Sequence, residues 1–207
     1  MKETIEERIE RIALLSFSEQ GYHETRTSEI AKNARVSETS IFRLFKTKRD
    51  LYLHVLSKYG SNVTLKQNPI LSTLTFDDAV EDLTMIAGHF LNFYFENIHL
   101  TRIYLSNAIQ ISEILGYEFL IYPDLKDFLK KYLDEMNMRG KLSLLSADTF
   151  NEIFLSSVVQ DVIFMTTFEK IEVLDDSISK QIIERWKLKV EALLKLFDVT
   201  NSPEDWK

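Results

Sequence analysis

The stretch RTSEIAKNARVSETSIFRLFKTKRDL, from Arg26 to Leu51, decides how the rest of this chain is read. Ile30, Ala31 and Ala34 recur at helical spacing and give one apolar stripe, while Ser28, Glu29, Lys32 and Asn33 stay on the wet side. Val36 then points inward from a connection too short to be a free loop, and Ser37 is placed to cap a second helix through its hydroxyl. Ile41, Phe42 and Phe45 are the expected anchors of that helix, which leaves Glu38, Thr39, Ser40 and Arg43 nearer the outside. Thr47 and Asp50 form the cap pair of a third helix. Two short capped helices meeting at a tight turn predict a helix-turn-helix.

Between Arg26 and Arg49 seven basic residues face two acidic ones, a local charge of +5 on a chain that carries -7. A positive island on an acidic protein suits phosphate binding, because each neutralised phosphate releases condensed counterions. A charge run alone also fits a solvated helical face, and it is the helix-turn-helix that favours DNA.

The run from Ile9 to Leu53 resembles the DNA-binding domain of the TetR family, through F-x-E-x-G-Y at Phe17 to Tyr22, E-I-A at Glu29 to Ala31, Val36-Ser37, and F-x-x-K-x-D-L at Phe45 to Leu51. The resemblance implies a ligand-responsive repressor, a homodimer whose C-terminal domain holds the effector. Thr27, Ser37, Arg43 and Lys48 are the expected phosphate contacts, and Thr39, Ser40 and Glu38 the base-edge readers. Ser28, Phe42 and Lys46 complete the DNA-facing set. The sequence departs from the family pattern at Arg35 and Thr39, where turn glycines are usual, and at Phe42 and Leu44, where aromatic residues with polar tips are usual. Phe42 has no hydroxyl to offer a phosphate.

Elsewhere the composition is that of an all-α protein: 3 Pro and 5 Gly in 207 residues leave few breakers, and 45% hydrophobic residues supply a sizeable core. Cysteine is absent, the first residues cannot form a signal peptide, and no segment is apolar enough to span a bilayer, so a cytoplasmic protein with no membrane partner is expected. The four histidines lie far apart, and neither a nucleophile elbow nor a phosphate-binding glycine loop is present. The expectation is therefore no enzyme, no metal and no cofactor.

The reader domain is expected over residues 1–50, with a linking helix over about 47–67 stopped at Asn68-Pro69, and a ligand-binding and dimerisation domain over 51–207. Pro69 to Thr75 reads as a connector, and a long amphipathic helix follows from Phe76 to Tyr94. Further helices are expected from Leu100 to Ile111, from Asp124 to Gly140, from Ser146 onward and from Asp176 onward, before a loose tail at Asn201-Ser202-Pro203.

Aromatic residues are dense from Phe90 to Phe168, which suits a cavity for a small hydrophobic or aromatic effector. Phe90, Phe93, Tyr94, Tyr104, Phe128, Tyr132, Phe154 and Phe164 are its expected walls, with His89, Asn107, Gln110 and Asp161 to orient the ligand. Ordinary core packing is the competing reading of each ring. The last two helices, through Phe150, Val158, Val162, Ile178, Ile182, Trp186, Val190 and Leu193, either form a four-helix bundle with a second chain or close the monomer's own core. A helical small-molecule carrier, or a dimeric scaffold without sequence-specific DNA binding, is the alternative to the regulator.

Overall fold

A computed structural model of the chain describes residues 3–61, 70–106 and 123–197. The expected linker stop at Asn68-Pro69, the candidate ligand residues Asn107 and Gln110, and the tail at Asn201 to Pro203 lie outside these residues. Contacts divide the chain into two compact units, one drawn from Met1–Thr64 and Asn97–Leu120, the other from Leu65–Glu96 and Ile121–Lys207. Among the described residues the regular structure is helical, and no helix is long and apolar enough to cross a membrane.

The first unit contains α1 (Ile5–Glu24), α2 (Thr27–Ala34), α3 (Glu38–Phe45), α4 (Lys48–Ser61) and, from much later in the chain, α7 (Ile98–Ser106). α1 opens with a capping box, Thr4 accepting from the Glu7 amide at 3.1 Å while the Glu7 carboxylate accepts from the Thr4 amide at 2.8 Å. It breaks where expected, at Gly21, whose φ of 79° no helix accommodates and glycine adopts freely. Ile9, Ala13 and Phe17 of α1 meet Ile30, Ala34, Ile41, Leu51 and Val55 in one core, and Leu100, Ile103 and Tyr104 of α7 join it. The rings of Phe17 and Tyr52 meet edge-on at 5.0 Å, an arrangement worth about 0.5–1.5 kcal/mol beyond the area they bury. Ser18 of α1 and the His99 imidazole of α7 share a hydrogen bond of 3.0 Å. The sequence places Ile98–Ser106 in the C-terminal domain; its packing on α1 puts it with the reader instead.

The second unit contains α5 (Ile70–Thr73), α6 (Ala79–Glu96), α8 (Pro123–Met138), α9 (Ala147–Thr167) and α10 (Asp176–Phe197). The connector expected from Pro69 to Thr75 thus holds one helical turn, and the long helix starts at Ala79, not Phe76. Asp82 explains why. Its carboxylate is buried and accepts from the Thr75 amide at 2.9 Å, the Phe76 amide at 2.8 Å and the Tyr132 hydroxyl at 3.2 Å. A buried carboxylate is tolerated when its lone pairs are filled in this way, and here it fastens the turn before α6 to α8. The expected helix ends after Asp124 and at Ser146 are present: Gly140 (φ 66°) follows α8, and Ser146 caps α9 through a 3.3 Å bond from the Thr149 amide.

Candidate functional site

The helix-turn-helix is built by local interactions. α2 ends with Arg35 in the left-handed conformation, φ 55° and ψ 48°, and the Val36 amide returns to the Ala31 carbonyl at 3.0 Å. This is the turn where the family usually has glycine, and it costs a non-glycine residue about 1–2 kcal/mol. Ser37 then caps α3, accepting from the Ser40 amide at 3.2 Å, with the two serine hydroxyls 2.8 Å apart. A second positive-φ residue, Lys46 (φ 58°, ψ -54°), closes α3 in a tight turn with the Thr47 amide 2.6 Å from the Phe45 carbonyl. Thr47 in turn accepts from the Asp50 amide at 3.0 Å at the start of α4.

Ile41 and Phe45 anchor α3 in the core. Phe42, expected as a third anchor, is 41% exposed, because the 100° step between residues carries it off the Ile41 stripe to the side of Thr39 and Arg43. The outer face of α3 therefore presents Thr39, Phe42 and Arg43, with Lys46 beside them, all exposed, and Ser40 half-buried. This is an apolar ring set among two cations and a hydroxyl on a helix of the width a major groove admits.

Four other expected DNA contacts, Thr27, Glu38, Ser37 and Lys48, hold the fold together. Thr27 donates to the Glu38 carboxylate at 2.5 Å, joining the starts of α2 and α3. Ser37 is occupied as the cap, and the Lys48 ammonium donates to the His23 carbonyl at 3.1 Å while lying 4.7 Å from the Tyr22 ring centre. Partial burial lowers the Lys48 pKa. Ser28 is exposed at the start of α2, where helix amides face outward.

In the second unit the structure gathers only part of the expected ligand wall. Phe90 lies 5.9 Å from Phe128 and 6.5 Å from Phe154, edge-on to both, and Trp186 lies 5.2 Å from Phe154. Phe93 and Tyr94 are buried on the same helix as Phe90. The Tyr132 hydroxyl is committed to Asp82. Tyr104 does not belong to this group, since it is buried in the first unit's core. Phe164 is 48% exposed, its ring tilted against that of Phe168 at 5.5 Å, on the outer side of α9. Asp161 accepts from the Lys189 ammonium at 2.8 Å and pairs with Arg185 at 3.5 Å, which makes it a brace between α9 and α10. His89 keeps a buried ring nitrogen, Nε2, with no hydrogen-bond partner among the described residues, and burial lowers its pKa, against a smaller opposing pull from Glu96.

The residues expected at a dimer seam pack inside the single chain, the alternative that the sequence left open. Phe150, Val158, Val162, Ile182, Trp186 and Val190 are buried within the single chain, and Ile178 and Leu193 are half-buried. They fill the core of the second unit, because α6 packs along α10 and covers that stripe. The large apolar residues these two helices leave exposed are Ile153, Ile163 and Phe164 on α9, with Phe168 at its C-cap, and Ile183, Leu188 and Leu196 on α10.

With the geometry of the helix-turn-helix in place, residues 12–55 match the family model for bacterial regulatory proteins of the tetR family. Over these residues the chain carries a tetR-family DNA-binding domain. It is 28% identical over 151 residues to the uncharacterized HTH-type transcriptional regulator YvkB of Bacillus subtilis (strain 168), covering 73% of this chain and 77% of that one. A tetR-family bacterial regulatory protein from Rhodococcus RHA1 superposes with a TM-score of 0.65 at 17% identity, over 93% of this chain and 98% of its own. The transcriptional regulator FadR from Bacillus subtilis, in complex with stearoyl-CoA, does so with 0.59 at 18% identity, over 90% and 96%. The likeness to the two solved structures is one of fold. What the sequence could not reveal were the role of Asp82 and the packing partners of Trp186 and α7, since each acts through residues distant in the chain.

Proposed function

We propose that this TetR-family regulator is a cytoplasmic, ligand-responsive repressor that binds a pseudo-palindromic duplex operator as a homodimer and releases it when a small hydrophobic or aromatic effector enters the second unit. The observation that carries the reading is the outer face of α3: Thr39, Phe42, Arg43 and Lys46 stand exposed on a helix whose opposite side is locked by Ile41 and Phe45. In this reading Arg43 and Lys46 take phosphates, and Thr39, Phe42 and Ser40 meet base edges, Phe42 against thymine methyls or sugars. Lys48 and Ser28 take phosphates at the rim, and Glu38 orients Thr27.

The homodimer in this reading uses the outer residues of α9 and α10, Phe164, Phe168, Leu188 and Leu196, whose exposure on one chain is a reason for a second copy to cover them. The effector lies among Phe90, Phe93, Tyr94, Phe128 and Phe154, with His89 Nε2 as its polar anchor. The fold supports a long apolar effector as a first candidate, since FadR with the same fold was crystallised with stearoyl-CoA.

Coupling in this reading follows the chain itself. α6 of the effector unit ends at Glu96 and α7 of the reader unit begins at Ile98, so a shift of α6 is passed through Asn97 to a helix seated on α1. The effector must bind better to the arrangement that fits DNA poorly, with a coupling of about 1–3 kcal/mol, or roughly five- to 150-fold in operator affinity. The test is to select duplexes from a random pool, then titrate the selected operator with and without compounds that raise the melting temperature. An enriched two-fold-symmetric site, released by a stabilising apolar compound, is expected. No enriched duplex would make the chain a carrier or scaffold, and tight ligand binding with unchanged operator affinity would leave the DNA reading and remove the regulatory one.

A further inference from the structure

Counting histidines along the sequence finds no metal site, but the fold brings together donors that the sequence keeps apart. Glu6 and Glu10 are four residues apart on one face of α1, and His54 reaches them from α4; their donor atoms all lie within 4.8 Å of one another. We propose that Glu6, Glu10 and His54 form a binding site for a divalent transition-metal ion of the Zn2+ class.

The two carboxylates and one imidazole are the donor set of an open zinc site, three protein ligands with a fourth position for water. At metal–donor distances of about 2.0–2.2 Å the donors of a tetrahedral site stand roughly 3.4 Å apart. His54 Nε2 and Glu10 Oε1, now 2.6 Å apart, must part by less than an ångström, and exposed Glu6, whose donor lies within 4.8 Å of theirs, swings inward by at most about 1.4 Å. Glu10 is the fixed member: its side chain is 2% exposed and its other oxygen, Oε2, accepts from the Lys58 ammonium at 2.5 Å. His54 and Glu6 are open to solvent, which gives the ion a way in.

The charges facing the site set its strength. Glu7 is turned away in the capping box with Thr4, and Arg11 pairs with Glu3, which leaves Lys58 as the cation nearest Glu10. Without an ion, the buried carboxylate is held by the Lys58 ammonium and by its hydrogen bond with His54. With an ion, Oε1 turns to the metal and Lys58 stays on Oε2, where its positive charge opposes that of the ion. The consequence is a cross-link between α1 and α4, the two longest helices of the reader unit.

The experiment uses the full chain and Co2+ as a spectroscopic stand-in for Zn2+. One Co2+ per chain with the intense visible bands of four-coordination, displaced by Zn2+, is expected, together with a Zn2+-dependent rise in melting temperature. Glu6→Gln alters an exposed side chain and His54→Gln a half-exposed one, so both variants should fold; each should weaken binding at least about tenfold. Lys58→Met should tighten it roughly tenfold, the effect of removing a like charge about 6 Å from the ion in a water-like dielectric. His23→Gln should change nothing. Absence of four-coordinate bands, or binding that survives both ligand substitutions, would overturn the site and leave Glu10, His54 and Lys58 as an ion-paired brace.

Discussion

α3 and α10 are both amphipathic helices with apolar stripes plain in the sequence, yet only α3 has its orientation set by its neighbours in the chain. On α3, Ser37 fixes the start, the turn at Lys46 fixes the end, and α2 lies one short turn away, so the Ile41–Phe45 side has one place to go. α10 carries two apolar stripes. Ile182, Trp186 and Val190 are buried, while Leu188 and Leu196 are 68% and 60% exposed on another side. The sequence singles out the Ile182–Trp186–Val190 stripe but leaves open whether a second chain or the monomer covers it; the packing of α6 and of Phe154 on α9 decides. The lesson is that capping and turn chemistry locate a helix, and long-range packing chooses which of its faces is the inside.

The sharpest way to break this contrast is to compare the two stripes of α10 directly. Trp186→Ala should destabilise the second unit by about 3–5 kcal/mol in a urea titration, because a fully buried indole leaves a cavity that α6 and α9 only partly close. Leu188→Glu should leave that transition within about 0.5 kcal/mol and instead lower the mass seen by sedimentation. Equal, large losses of stability in both variants would mean that the two stripes are both core.

Affinity for DNA offers the next effect in size. Arg43→Ala and Lys46→Ala should weaken binding to every duplex alike and each lower the slope of log affinity against log salt by about one. Lys48→Ala should show a smaller slope change and a loss of stability, because its ammonium already holds the His23 carbonyl at the end of α1. A full unit of slope lost in Lys48→Ala with unchanged melting would reverse that ranking.

A smaller change sharpens the account of α3. Ser37→Ala removes the cap and should cost about 1 kcal/mol, visible as a shift in the denaturation midpoint of the reader unit. The least effect should come from His89. Its pKa is lowered in the folded chain by burial, so the unfolded chain takes up the proton first. Stability should therefore be full above about pH 6.5 and decline as pH falls through the ordinary histidine range. His89→Gln should flatten that decline, and an unchanged slope would place the source elsewhere.

Some features were legible because they are written in three to six consecutive residues. The caps at Ser37, Thr47 and Ser146, the break at Gly21 and the end at Gly140 all pair side chains or backbone conformations with amides a few positions away. The positive island was legible for the same reason, since charge need only be counted along the chain. Phe42 shows the limit even at short range: its type favours burial, and only the helical phase relative to Ile41 puts it outside.

The sequence by itself determined an all-helical chain, a helix-turn-helix between Arg26 and Leu51 and the residues that cap it, because these follow from local backbone bonding and periodicity. Only the tertiary structure decided that Ser18 meets His99 across 81 residues, Tyr132 meets Asp82 across 50 and His54 meets Glu10 across 44. It also decided that Ile98–Ser106 serves the reader and that Trp186 is core. The physical reason is that an amphipathic helix states how much apolar surface must be covered, whereas the cover itself comes from whichever distant helix fits the volume, and pairwise fit is not encoded in the spacing of either one.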